Sequence, residues 1–254
     1  MDDESTLTLF FELFDGLPRQ GPGNRASTER ALSFIPTLSP TGRILDVGCG
    51  TGAQTFDLAR ICPANITAVD NHAPYIDVLN ATATRLSLDQ RVRGEVGDMN
   101  NLNFPHQHFH LIWSEGAIYF MGFDDGLKTL HPFVKPGGHV AVSELCWLTD
   151  DPPEECARYF AEQYPPMRNI PDNRVGAARA GYQLVADFAL PPHAWWDDYY
   201  APLQDNLKFF RERHEGNTDA AAIASESERE IDMFRQYHEH YGYVFFVMRK
   251  SNAP

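Results

Sequence analysis

The apolar run Ile44-Leu45-Asp46-Val47 breaks into Gly48-Cys49-Gly50-Thr51-Gly52, and the same contrast of apolar run and polar break recurs along the chain. Short runs rich in β-branched and aromatic residues predict strands at residues 66–69, 109–115, 139–144, 182–190 and 243–249, with a further acidic strand end at Val96-Gly97-Asp98-Met99. Between them the patterning predicts helices at residues 53–61, 73–86 and 124–133. This alternation is that of an α/β, doubly wound parallel sheet with helices on both faces. Right-handed crossovers then bring the strand C-termini, and any ligand, to one edge.

The flanks read differently. Residues 5–14 and 27–38 predict two helices, separated by Asp15-Gly16-Leu17-Pro18-Arg19-Gln20-Gly21-Pro22-Gly23, a break marked by its glycines and prolines. Residues 146–181 contain two proline-rich turns, Asp150-Asp151-Pro152-Pro153 and Tyr164-Pro165-Pro166-Met167, with a helix between them and another over residues 172–180. A long helical stretch over residues 196–238 lies between the last two strands. Within it the run Ser225-Glu226-Ser227-Glu228-Arg229-Glu230 reads as a helix with a solvated face.

The glycine-rich turn points to a nucleotide cofactor. Gly48, Gly50 and Gly52 allow a tight turn and close approach of backbone to ligand, and the following helix directs its N-terminal amides and positive dipole end at the site. Asp70, about 20 residues beyond the glycines, is placed where a carboxylate accepts ribose hydroxyls. Gly48-x-Gly50-x-x-Ala53 also satisfies the dinucleotide fingerprint, so these residues alone leave two cofactor classes open.

Asp46 at the strand end, the third glycine Gly52 and the Asp98-Met99 pair together resemble the class I S-adenosylmethionine-dependent methyltransferases, over roughly residues 43–144. The resemblance implies that Asp46, Gly48, Cys49, Gly50 and Gly52 form the first motif around the methionine part of S-adenosylmethionine. It implies further that Asp70 binds ribose, Asn71 touches adenine, Asp98 accepts from the adenine amine, Met99 packs on the ring and Ser114 joins the cofactor set. Lys135-Pro136-Gly137-Gly138 is a frequent family turn before the fifth strand. Residues 114–122 and 142–144 are similar, more loosely, to a small-molecule branch near the ubiquinone/menaquinone-biosynthesis type.

The implied fold is a Rossmann-like seven-stranded sheet whose last strand inserts antiparallel beside the sixth. The chain divides accordingly into an N-terminal helical lid (residues 1–40), a cofactor-binding half (43–144), an insertion over the pocket (145–181) and a substrate-side half (182–254). Residues 20–25 are the lid candidate, with Phe10, Phe11 and Phe14 on its inner face. The other reading is a packed helix with a solvated loop. The resemblance implies transfer of a methyl group to a small-molecule acceptor. An NAD(P)-dependent oxidoreductase is disfavoured by Asp98-Met99 and by the lack of a Tyr-x-x-x-Lys set, and a non-catalytic cofactor-binding sensor or partner subunit is a further alternative.

Methyl transfer is an in-line displacement, so positioning supplies much of the rate and a base is needed only for an acceptor that must lose a proton. Glu115 and Glu144, at the ends of the fourth and fifth strands, are the best-placed catalytic carboxylates, expected to stand near each other, with Tyr119 and His193 as lesser candidates. The alternative has Glu144 capping a loop and Glu115 bonding backbone. Aromatics gather on the acceptor side, from Trp113 and Phe120 to Trp147 and Tyr200. They would suit a cationic acceptor, but Trp195/Tyr199 and Trp196/Tyr200 are spaced i, i+4 as in a packed helix core.

Composition narrows the partners. A formal charge of −14 disfavours nucleic acid, which needs a basic surface. Four cysteines without disulfide-framework or C-x-x-C spacing suit a reducing cytoplasm, the acidic start Met1-Asp2-Asp3-Glu4 is unlike a signal peptide, and no apolar run approaches a membrane span. His106, His108 and His110 alternate on one strand face, but they lie far from the ligand edge and on one element, so no metal is expected.

Overall fold

The computed structural model describes residues 3–251; Met1 and Asp2 of the acidic N-terminal run lie outside them. Two helices, α1 (Asp3–Phe14) and α2 (Arg25–Ser33), precede the sheet. Then β1 (Arg43–Val47), α3 (Ala53–Ile61), β2 (Asn65–Asp70), α4 (Ala73–Arg85), β3 (Val92–Val96) and β4 (Phe109–Ser114) alternate. They are followed by α5 (Phe123–Leu130), β5 (Val134–Trp147), α6 (Glu154–Gln163), β6 (Arg168–Asn169), α7 (Ile170–Arg179) and β7 (Tyr182–Ala189). The chain closes with α8 (His193–Trp195), α9 (Ala201–Arg213), α10 (Thr218–Tyr237) and β8 (Tyr241–Lys250).

The strand order is β3-β2-β1-β4-β5-β8-β7, parallel except that β8 runs antiparallel between β5 and β7. This is the expected sheet with its inserted antiparallel strand. The two-residue β6, pairing the end of β5 through Cys146 and Trp147, was not anticipated.

Side chains alternate across the sheet, so each strand feeds two cores. Ile44, Leu111, Trp113, Ala141 and Phe245 face α1 to α4, α6, α9 and α10, whereas Leu45, Ile112, Val142, Val244 and Phe246 face α5 and α7. No helix among the described residues is long and apolar enough to cross a membrane.

Three expected boundaries shift, each for a local reason. α2 stops at Ser33 rather than reaching residue 38, because Pro36 disfavours helical geometry at Ile35 and the Phe34 amide turns back onto Ala31 and Leu32. β5 starts at Val134 and runs through the Lys-Pro-Gly-Gly segment, with an irregular register against β4 between Phe109 and Leu111. It extends to Trp147 because β8 pairs with it from His139 to Trp147. The stretch expected as one helix over residues 196–238 is broken by a π-helical turn at Trp196–Tyr200 and by a loop in which Gly216 takes φ +81°.

Candidate functional site

β1 ends where the glycine loop begins, and that loop is tied to β2. The amides of Gly48 and Cys49 donate to Val69 O at 2.8 and 3.1 Å. Gly50 N–H donates to Asp70 Oδ2 and His72 N–H to Asp70 Oδ1, both at 2.9 Å. Asp70 thus stands at the loop's edge with its carboxylate oriented by backbone, and each oxygen retains a lone pair for a further donor. Gly48 and Gly50 sit at φ +70° and +54°. A Cβ on Gly48 would lie 2.3 Å from Ala117 Cβ, and one on Gly50 would lie 2.7 Å from Gln20 Oε1. The loop is a cradle that side chains would fill.

The other expected cofactor residues divide. Asp46 is fully buried and spends its carboxylate on Thr55 Oγ1 (2.5 Å) and Gln54 Nε2 (3.4 Å), so it pins the first turn of α3 to β1. Burial pushes its pKa to about 7, against the Thr55 hydrogen bond. Cys49 buries its thiol, so only its backbone faces the loop, and burial drives its pKa up. Ser114 is buried with no partner for its hydroxyl, a polar atom awaiting a donor or acceptor. Asn71 and Asp98 are exposed beside half-buried Met99. Asp98 Oδ1 caps the following turn by accepting from Asn100 N at 2.8 Å.

The N-terminal segment reaches into this region. Gln20 Oε1 accepts from Thr51 N at 3.1 Å and Thr51 Oγ1 at 2.9 Å. Phe11 stacks on His72, ring centroids 3.6 Å apart, and Phe14 lies against Tyr199. Phe10 is largely exposed and does not line the inner face.

Glu115 belongs to the same network. Its carboxylate is 4% exposed and accepts from Arg19 Nη2 (3.0 Å), Thr28 Oγ1 (2.8 Å) and Trp113 Nε1 (2.8 Å). Burial raises its pKa, and the Arg19 charge opposes that shift. With three donors on it, Glu115 is a clasp between the N-terminal segment and β4.

Glu144 has the opposite character. It is 2% exposed, accepts from Tyr164 Oη at 2.6 Å through Oε1, and has no partner on Oε2. Burial pushes its pKa up to about 7, against the Tyr164 hydrogen bond. The expected meeting of the two carboxylates does not occur. Glu144 shares its strand face with Val142 and Cys146 in the α5/α7 core, while Glu115 bonds to Trp113 and Thr28 on the other side. Tyr119 is half-buried, its ring 5.9 Å from that of Tyr164, and its hydroxyl pKa is raised by burial and then by the charges of Glu230 and Glu144. His193 is exposed on α8.

Most of the remaining aromatics pack in the core, whereas Phe120 is exposed. Trp195 stacks on Phe234 at 4.4 Å and on Tyr243 at 5.2 Å, and Tyr199 and Tyr200 are buried. At the far end of β4, His110 Nδ1 accepts from Arg43 N, and His110 Nε2 lies 3.2 Å from Lys135 Nζ. Burial and then these cations lower the pKa of His110. Among the described residues no His, Cys, Asp and Glu group is arranged to hold a metal.

With this geometry in view, comparison with known proteins is direct. Residues 44–138 match the family described as methyltransferase domain. Over these residues the chain is similar to a methyltransferase domain. A solved S-adenosylmethionine-dependent methyltransferase from Geobacter sulfurreducens, in complex with S-adenosyl-L-homocysteine, superposes with TM-score 0.81 at 20% identity. The match covers 95% of this chain and 97% of that one. Sterol 24-C-methyltransferase from Kluyveromyces lactis is 25% identical over 194 residues, covering 72% of this chain and 52% of that protein. Phosphoethanolamine N-methyltransferase 1 from Arabidopsis thaliana is 29% identical over 147 residues, covering 57% and 30%. The chain thus spans about half or less of the length of these curated relatives.

Several groups around the strand C-termini escaped the sequence reading. Arg19, Gln20, Thr28 and Tyr164 come from loops or helices remote in sequence from the strand ends they touch. Glu230, assigned to a solvated face, accepts from Tyr200 Oη at 2.8 Å and points inward. A signal was present: Ala220, Ala224, Ser227, Ile231 and Phe234 form a buried stripe at helical spacing, and Glu230 flanks it.

Proposed function

We propose that the chain transfers a methyl group from S-adenosylmethionine to a small-molecule acceptor by in-line displacement. The observation that carries this reading is the Gly48–Gly50 cradle, closed to any side chain, with the Asp70 carboxylate held at its edge. The glycine loop would pack its bare backbone against the methionine part, Asp70 would hold the ribose, and Asn71, Asp98 and Met99 the adenine, with the unpartnered Ser114 hydroxyl nearby. When bound, the cofactor supplies an electrophilic methyl on a sulfonium. In this reading residues 1–40 serve as the lid, 43–144 as the cofactor half, 145–181 as the insertion and 182–254 as the acceptor side.

Glu144 is the residue suited to proton transfer. Its free oxygen and a pKa near 7 let it take a proton from the acceptor at neutral pH, and Tyr164 fixes its orientation. Glu115, held by three donors, is a positioning residue. A small acceptor agrees with the net charge of −14, and four buried, unpaired cysteines agree with a cytoplasmic protein. The likeness of residues 114–122 and 142–144 to the ubiquinone/menaquinone-type branch supports the same acceptor class.

Thermal unfolding with S-adenosylmethionine, S-adenosylhomocysteine, NAD and NADP in parallel tests the reading. At 100 times the dissociation constant a ligand adds about 2.7 kcal/mol, a shift of roughly 5 to 10 °C for a chain of this size. The two sulfur nucleosides should shift the transition. A shift with NAD or NADP alone would overturn the proposal.

A further inference from the structure

The alternating histidines lead into β4 at the end of the sheet opposite the glycine loop. Arg43 opens β1 there, and Lys135 is the second residue of β5, so both stand at the same sheet end as His110. An open cleft of about 180 Å³ lies among them, its walls including Pro36, Leu38, His110, Lys135, Pro136 and His139. His139 is buried, and His110 and Lys135 are half-buried.

The chain has 35 acidic residues against 21 basic ones, yet this sheet end gathers cations. Arg43 and Lys135 act on both His108 and His110, and Arg249 acts on His139; no carboxylate is among the charges that shift these three rings. Arg43 Nε donates to His108 O at 2.9 Å and Arg249 Nε to Gly137 O at 3.4 Å. Among the described residues neither of them, nor Lys135, forms an ion pair. Cations gathered beside a cleft without a counter-charge repel one another and focus a positive potential into it.

The hydrogen bonds of His110 make a sharper demand. A neutral imidazole has one acceptor nitrogen and one N–H. Two donors nevertheless face its two nitrogens: the Arg43 amide lies 3.1 Å from Nδ1 and the Lys135 ammonium 3.2 Å from Nε2. The Arg43 amide cannot turn away, because β1 is fixed in register between β2 and β4. Nδ1 is therefore the acceptor, Nε2 carries the proton, and Nε2–H meets Lys135 Nζ donor to donor. Protonating Nδ1 would only add a second conflict, and burial with the charges of Lys135, Arg43 and His108 holds the ring's pKa down. An anionic oxygen about 2.8 Å from both Nε2 and Nζ accepts from each and removes the conflict. Water could accept from both but would leave the gathered charge unbalanced. A phosphate group, with close to two negative charges at neutral pH, answers both Arg43 and Lys135.

We propose that this cleft binds a phosphate group, one oxygen of which is held jointly by His110 Nε2–H and Lys135 Nζ. The site lies away from the glycine loop, at the other end of β1 and β4, and stands independently of the methyl-transfer reading.

The test is calorimetric titration of the full chain with inorganic phosphate and with glycerol phosphate, each with and without saturating S-adenosylhomocysteine. Binding should be saturable and equally tight in both conditions. Tighter binding of glycerol phosphate would identify a phosphomonoester as the occupant, lying on the Pro36 and Leu38 wall, and equal binding the free ion. Lys135→Gln should weaken binding about tenfold, the loss expected for one hydrogen bond to a charged group. Nuclear magnetic resonance of the His110 ring nitrogens should show the proton on Nε2 and a shift of that signal on phosphate addition. Heats that do not saturate, binding unchanged in Lys135→Gln (diffuse attraction of ions to the patch), binding abolished by S-adenosylhomocysteine, or a neutral His110 with its proton on Nδ1 would each overturn the proposal.

Discussion

Between Asp46 and Asp70 the surface proposed for the cofactor is largely bare backbone, held by a strand, a turn and a helix contiguous in sequence, its amides tied to Val69, Asp70 and Gln20. Around Glu144 and Glu230 the polar groups are instead side chains, from β5, the insertion, the turn before α9 and α10. The first arrangement tolerates little, because a Cβ at Gly48 meets Ala117 at 2.3 Å. The second depends on burial, which leaves the carboxylates of Glu144 and Glu230 with raised pKa values and little compensation. A cofactor shared by many enzymes suits a rigid backbone cradle, whereas acceptor choice suits side chains that can be exchanged singly.

The sharpest way to break this contrast is Gly48→Ala. The new methyl combines left-handed backbone strain with overpacking, together about 3 kcal/mol, so S-adenosylhomocysteine affinity should fall at least about 100-fold by calorimetry. Near-normal affinity would show that the cradle is not where the cofactor sits. On the other side, Glu144→Gln should lower kcat roughly 100-fold with cofactor affinity intact, as expected for loss of a general base. The wild-type rate should rise with pH through about 7, where Glu144 ionises, and the variant should lose that limb.

Stability should move the other way. Glu144 and Asp46 both have folded pKa values raised to about 7. Their contribution is complete below the ordinary carboxylate range and is lost as pH rises through 7, by up to about 3 kcal/mol each. Chemical denaturation from pH 4.5 to 8 would show this decline, and Glu144→Gln should flatten part of it. A stability that instead rises over that range would contradict the burial argument.

Glu115→Gln separates the clasp from the base. It leaves buried Arg19 without its counter-charge, which costs about 3 kcal/mol and should lower Tm by ~6 to 12 °C. The pH limb near 7 should persist in this variant. If the limb disappeared while Tm held, the roles of the two glutamates would be reversed. The smallest effect is expected for Gln20→Ala, which removes the acceptor for Thr51 and should cost about 1 kcal/mol in thermal unfolding.

Much of the fold was legible because its signals are local. The strand-turn-helix around Gly48 to Gly52 and the acidic end of β2 at Asp70 stand where the patterning put them, and the last strand is inserted as the family resemblance implied. The π-helical turn at Trp196–Tyr200 and the added β6 were not legible, since each reflects packing or pairing with distant segments. The same limit applied to the carboxylates. Asp46 reads as a motif residue, yet its oxygens are taken by Gln54 and Thr55.

What the sequence by itself determined is the doubly wound sheet and the cradle at its edge, because hydrophobic period, glycine conformation and strand-end acids act over a few residues. Only the tertiary structure decided what Glu115, Glu144 and Glu230 do. All three are the same residue type, and the difference lies in who reaches them: three donors at Glu115, one tyrosine and a free oxygen at Glu144, and the Tyr200 hydroxyl at Glu230. A carboxylate's charge and reactivity follow from desolvation and partners, and those are assembled only when residues far apart in the chain are packed together.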